Sequence, residues 1–345
     1  MASLKIPPAC ALLLLVANAQ AFSQQPSLRG SVVSAETGLA LGYSIVELRP
    51  GLGPQFTTAS GAFAFSALTP GTYLLSVRQI AYTPVDTQIA IPEDGEIVVH
   101  VALRHLAIEL PPVTIAASQC MKPGPPEPSD TALHAVFDQL QENARRFELL
   151  TDSFPFQYML EVSDRTVNQR GDTGKPEVQR IRFSSSDFRP YEVGRVVQPA
   201  WGPWGNPENV IVTYTGDLRD FGNTDFIKNH CFRLMGADTI GADTLVRIDF
   251  EPAIRISTSD MAGSAYLDPT TYELRYMVTS LTRPERSMSP DVRSLRARTR
   301  FRKIGPGVPL QDSYTGITTY RYGRRVKIQT QRIFEVRFNR QPPAP

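Results

Sequence analysis

The chain is poor in cysteine and tryptophan, carries almost no net charge, and contains no run of eighteen apolar residues. Three Cys in 345 residues exclude a small disulfide-knit scaffold, and no CxxC or Cys/His spacing supplies a zinc site. Without a long apolar run, no transmembrane helix is expected. Lys and Arg number 36 against 34 Asp and Glu, which argues against a uniformly basic nucleic-acid binder. GxSxG, HExxH and P-loop signatures are all missing. The four His, at positions 100, 105, 134 and 230, are dispersed and read as structural. Hence no enzyme, no cofactor and no metal are expected.

What is present begins with a targeting pattern. Lys5 precedes the apolar run Ala9 to Val16, and small residues follow at Ala17, Ala19 and Ala21. This layout predicts a secretory signal peptide over 1–21, cleaved after Ala19 or Ala21. Cys10 precedes most of the apolar run, so soluble export fits better than a lipid anchor. Cys120 and Cys231 then remain, either as a disulfide in an oxidising compartment or as two free thiols.

From 26 to 117, short alternating runs recur between Gly/Pro turns: Leu28–Val33, Tyr43–Leu48, Ala62–Phe65, Tyr73–Arg78, Thr87–Ile91 and Ile97–Leu103. Such spacing predicts a β-sandwich of about seven strands. Gly61 and Gly71 stand where hairpin turns need positive φ, and Phe63, Phe65, Tyr73, Leu75 and Val77 share one face. The series Leu28-Arg29-Gly30-Ser31-Val32-Val33, Gly61-Ala62-Phe63-Ala64-Phe65, Leu68-Thr69-Pro70-Gly71-Thr72-Tyr73 and Ile80-Ala81-Tyr82 resembles the carboxypeptidase regulatory-like domain. That resemblance implies a transthyretin-like, carbohydrate-binding-like sandwich, with glycan as ligand class. Glu109 to Ile115 resembles the exit strand that joins such domains to outer-membrane receptors, although too little chain follows for a lipid-facing barrel.

Six of the 18 residues from Pro111 to Pro128 are proline, an extended linker placed at 118–128. Ser129 offers an N-cap, and Leu133, Val136, Phe137, Leu140, Ala144 and Phe147 recur at helical spacing, which predicts one amphipathic helix from Asp130 to Leu149. Period-two runs from Gln157 to Phe338 then predict ten or eleven strands. The fold class is mainly β: an N-terminal seven-stranded β-sandwich plus a larger curved antiparallel sheet with one amphipathic helix, the second domain spanning 129–340. Residues His230–Leu234, Leu245–Pro252, Gly263–Asp268 and Tyr272–Met277 resemble the half-barrel of exported Gram-negative proteins and, distantly, periplasmic lipoprotein carriers. The resemblance implies a helix-plugged half-barrel that holds acyl chains.

Two features point to ligands. Trp201 and Trp204, the only two Trp, share a Gly/Pro loop, where their rings suit a sugar or an acyl chain. The last 65 residues hold 15 basic and 4 acidic side chains, and Arg296, Arg298, Arg300 and Arg302 fall on one parity of a strand. Four guanidinium groups on one sheet face suit anionic lipid head groups, a membrane surface or acidic glycans. The reading is an exported, non-catalytic binding protein of the cell envelope, in the periplasm or at the outer membrane, with carbohydrate implied as ligand by the sandwich family. The alternatives are a periplasmic lipid or lipoprotein carrier and a scaffold accompanying an outer-membrane receptor. A hollow interior between sheet and helix favours the carrier, and a filled one the other two.

Overall fold

A computed structural model of the chain describes residues 25–109 and 119–340, apart from 169, 172–173, 202–206, 305–307 and 323–324. The expected signal segment, most of the exit strand, the start of the linker and Trp204 lie outside the described residues.

Seven strands make the first unit: β1 (Ser27–Ser34), β2 (Ile45–Arg49), β3 (Leu52–Phe56), β4 (Ala62–Phe65), β5 (Gly71–Arg78), β6 (Val85–Ile91) and β7 (Glu96–Leu103). One sheet has the order β4-β1-β7 and the other β3-β2-β5-β6. All pairs are antiparallel except β1 with β7. Leu28, Val32, Leu48, Phe63, Phe65, Leu75, Val77 and Leu103 fill the space between them. Gly61, at φ +74°, ends a turn in which an added Cβ would meet the Val32 carbonyl oxygen at 2.5 Å, so the turn needs both its conformational freedom and its lack of a side chain. The Gly- and Pro-rich stretch Pro50–Pro54, one of the turns between the alternating runs, runs into β3. An edge strand tolerates Pro54 because its missing N–H costs no ladder bond there, and the strand is mostly exposed.

The second unit opens with α1 (Thr131–Ser153), capped not by Ser129 but by the Asp130 carboxylate, which accepts from the Leu133 amide. Its strands are β8 (Phe156–Val167), β9 (Glu177–Ser184), β10 (Val197–Trp201), β11 (Pro207–Thr213), β12 (His230–Ile240), β13 (Asp243–Pro252), β14 (Met261–Leu267), β15 (Leu274–Leu281), β16 (Val292–Ile304), β17 (Val308–Tyr320) and β18 (Val326–Phe338). Nine of them form one antiparallel sheet, β12-β13-β14-β15-β16-β17-β18-β8-β9, while β10 and β11 pair with each other. Besides α1 there are a 3-10 turn (Leu218–Gly222) and two short helices, α2 (Thr224–Asn229) and α3 (Pro284–Ser287). One helix was expected. The others are shorter than two turns, too brief for a 3.6-residue period to show. Of the period-two run Tyr191 to Val197, read from sequence as one strand, only Val197 lies in a strand, at the start of β10.

The apolar stripe of α1 meets the inner face of the sheet. Val136, Phe137, Leu140, Ala144, Phe147 and Leu150 form one cluster with Val246, Ile248, Phe250, Ala265, Met277, Phe301, Leu310 and Ile333. Each fully buried side chain of this size contributes about 1.5–3 kcal/mol. Gln139, Glu142, Asn143 and Arg146 of the same helix are also buried. Gln139 Oε1 accepts from the Ala81 amide at 2.8 Å, and Arg146 donates to Gln79 Oε1 at 2.6 Å. The helix is therefore held between the sheet and the sandwich. Cys120 and Cys231 form a disulfide, their Cα atoms 5.5 Å apart, that ties the linker to β12.

Candidate functional site

Among the described residues the space between α1 and the sheet is largely filled by their own side chains, the outcome set above against a carrier unless a wall can move. A cavity of about 60 Å³ remains at the C-terminal end of α1, walled by Phe147, Phe156, Leu218, Phe301, Leu310 and Ile333 and rimmed by Tyr158, Asp187, Asp217 and Arg219. This space admits a few water molecules, whereas organic ligands occupy pockets of roughly 300 Å³ or more. Any larger guest has to displace a wall. One wall is not a strand of the sheet: the segment 214–229, which runs from the end of β11 through the 3-10 turn and α2 to β12 and sends Leu218, Phe221 and Phe226 into the core.

That segment is latched by charge. Asp217 and Asp220 cap the 3-10 turn reciprocally, and Arg219 grips Asp217 through Nε at 2.9 Å and Nη2 at 3.1 Å. The Arg219 guanidinium also lies over the rings of Phe188 at 3.3 Å and Phe147 at 5.0 Å. Its charge is thus neutralised and stacked at the mouth of the cavity, a geometry that favours planar guanidinium over ammonium. Asp220 is buried and accepts from the Tyr214 hydroxyl and the Asp217 amide. Burial, with the neighbouring Asp217 charge, pushes its pKa up to about 8. Gly216, at φ +83°, precedes this group.

The residues singled out from sequence are spread apart. Trp201 ends β10, opposite Pro207, far along the chain from the arginine strand. Arg296, Arg298, Arg300 and Arg302 are exposed on the outer face of β16, while Leu295, Ala297, Thr299 and Phe301 are buried on the inner one. The four arginines do not line the cavity, whereas the inward Phe301 of the same strand does. His230 is wholly buried, stacked on Phe226 at 3.9 Å, with both ring nitrogens against backbone carbonyls of Phe226 and Met261. Beside it Asp260 accepts from the Tyr191 hydroxyl at 2.7 Å. These groups satisfy one another inside the core and face no cavity described above.

Sequence reading missed Asp217, Arg219 and Asp220. A signal was there: Asp217 and Asp220 stand at capping-box spacing, and Asn223 precedes α2 as its cap. A second cleft, of about 350 Å³, lies between α1 and the sandwich and is lined by Arg78, Gln79, Tyr82, Asp138, Glu142 and Arg145. Burial raises the pKa of both of its carboxylates.

No family model matches the chain, and no curated protein matches it. Among solved structures it is similar to a DUF1329 family protein from Desulfovibrio piger, at 11% identity and TM-score 0.33, over 60% of this chain and 93% of that one. It is also similar to a LolA superfamily protein from Nitrosomonas europaea, at 11% identity and TM-score 0.31, over 59% and 94% of the two chains. A putative outer membrane lipoprotein-sorting protein domain from Vibrio parahaemolyticus matches at 9% identity and TM-score 0.33, over 59% and 93%. Likeness at these scores carries no functional argument. The expected membership in the carboxypeptidase regulatory-like family is corrected by the first of these findings: no model of that or any other family matches the chain. Carbohydrate binding, which rested on that membership, falls with it. The residues behind the resemblance were turn glycines and alternating aromatics, which any sandwich hairpin requires on steric and packing grounds.

Proposed function

We propose that this chain is an exported, non-catalytic carrier of the bacterial cell envelope, whose wrapped sheet takes up the acyl part of a lipid or lipoprotein. The observation that carries the reading is the small cavity at the end of α1, with an apolar wall of Phe147, Phe156, Phe301, Leu310 and Ile333 and a polar rim, closed on one side by a latched segment rather than by a strand of the sheet. An acyl chain would replace the segment 214–229 against Phe147, Phe301, Leu310 and Ile333, and the release of the Arg219–Asp217 grip would open the way. Export is supported by the signal-like start of the sequence and by the Cys120–Cys231 bridge, which suits an oxidising compartment.

Binding of a fluorescent sixteen-carbon fatty acid to the full chain tests it. Wild type should take up the probe, and Ile333→Trp, which fills the cavity, should weaken uptake at least tenfold. Absence of uptake by wild type, or equal uptake by a folded Ile333→Trp variant, overturns the reading.

A further inference from the structure

The outer face of the nine-stranded sheet is divided by charge. Over β12 to β14 its arginines are matched: Arg233 bridges Glu251 at 3.2 Å, and Arg247 bridges Asp249 at 2.7 Å and Asp238 at 3.0 Å. Over β15 to β17 they are not. Arg296 stands between Ser280 and Ile317, Arg298 between Val278 and Thr315, and Arg300 between Tyr276 and Ser313. Every one of these cross-strand neighbours is uncharged, and among the described residues none of the three arginines has a carboxylate partner. The next residue of the row, Arg302, does bridge Asp312, at 2.8 Å. At the end of the same face Arg293, Arg296 and Arg325 surround a shallow depression of about 620 Å³ together with Ser294, Thr319 and Tyr320. Two apolar groups stand out from this region, Ile317 at 41% exposure and Tyr322 at 77%.

We propose that the outer face of β15 to β17, centred on Arg296, Arg298 and Arg300, docks on an anionic phospholipid surface. Side chains two apart on a strand repeat every 6.8 Å or so, giving a straight row of charges separated by small or apolar groups. A folded acidic partner would need carboxylates fixed at that spacing. Lipid phosphates diffuse laterally and meet any spacing, and guanidinium groups bind them through paired N–H donors. The hydroxyls of Ser294 and Thr319 add donors in the depression, while Ile317 and Tyr322 enter the interfacial layer, where amphipathic rings are favoured. The inference stands independently of acyl uptake, because it concerns the opposite face of the sheet.

Co-sedimentation of the full chain with vesicles provides the test. Wild type should bind phosphatidylglycerol vesicles at 50 mM salt, release them at 500 mM and ignore phosphatidylcholine. The triple variant Arg296→Ala, Arg298→Ala, Arg300→Ala should bind roughly 100-fold more weakly, from about 1 kcal/mol per basic residue and 1.4 kcal/mol per tenfold. The matching Arg→Lys triple, which keeps the charge, should retain most of the binding, and Arg233→Ala on the matched half should change nothing. Circular dichroism confirms that each variant is folded. No binding by wild type at 50 mM salt, equal binding to phosphatidylcholine, or a loss below threefold in the alanine triple overturns the proposal. Capture on polyglutamate without binding to vesicles would assign the face to an acidic protein and overturn it as well.

Discussion

Helix α1 meets the nine-stranded sheet through Val136, Phe137, Leu140 and Phe147, and meets the sandwich through Gln139, Glu142 and Arg146. The first contact is non-directional and grows with area. The second adds a few aimed hydrogen bonds to a smaller apolar contact around Ile80 and Ala81, and its polar part is incomplete: Glu142 Oε1 and Arg146 Nε are buried without partners. Each such group costs about 1–3 kcal/mol, which offsets much of what its neighbours gain. The contrast teaches that α1 is set into the sheet mainly by apolar area and oriented against the sandwich by aimed polar contacts that are only partly satisfied.

Three changes probe that contrast, in falling order of effect. Phe137→Ala, at a position 1% exposed, should destabilise the full chain by about 3–5 kcal/mol in chemical denaturation, and a loss below about 1 kcal/mol would contradict a core role. The sheet side also holds the buried carboxylate of Asp220, whose folded pKa of about 8 exceeds its unfolded value near 3.9. The folded state then binds the extra proton between those values, so stability falls as pH rises from about 4 to 8 and levels off above. The slope is at most about 1.4 kcal/mol per pH unit, and Asp220→Asn should flatten it. An unchanged slope in that variant would place the pH dependence elsewhere. Arg146→Met should cost about 1–2 kcal/mol or less, since it removes an incompletely paired buried charge, yet hydrogen exchange at the Ala81 amide should quicken. If its unfolding midpoint drops as far as that of Phe137→Ala, the contact with the sandwich is as integral as the core.

Much of this was readable from the sequence. Alternation and turn residues marked most of the strands, and the spacing from Leu133 to Phe147 marked α1, because local geometry writes those patterns directly. The parity of Arg296, Arg298 and Arg300 likewise shows in the burial of β16. The second buried side of the helix was not readable. Gln139 and Arg146 find their partners at Ala81 and Gln79, 58 and 67 residues away, and nothing near them in sequence distinguishes a buried polar stripe from a solvated one. Nor was the cavity rim, since Arg219 acquires its role only when Phe147 and Phe188 converge on it from two other segments.

The two ends of α1 are fixed to opposite margins of the sheet. Shortly before its first turn, Cys120 is bonded to Cys231 in the outermost strand β12, and three residues after its last it becomes β8, next to the far edge. The helix is the string and the sheet the bow. A string anchored at both tips cannot be lifted away without straightening the frame, so a guest of the kind proposed would have to pass beside it, past the segment that carries Arg219. Cutting one anchor by reduction would leave the string tied to the sheet at β8 alone.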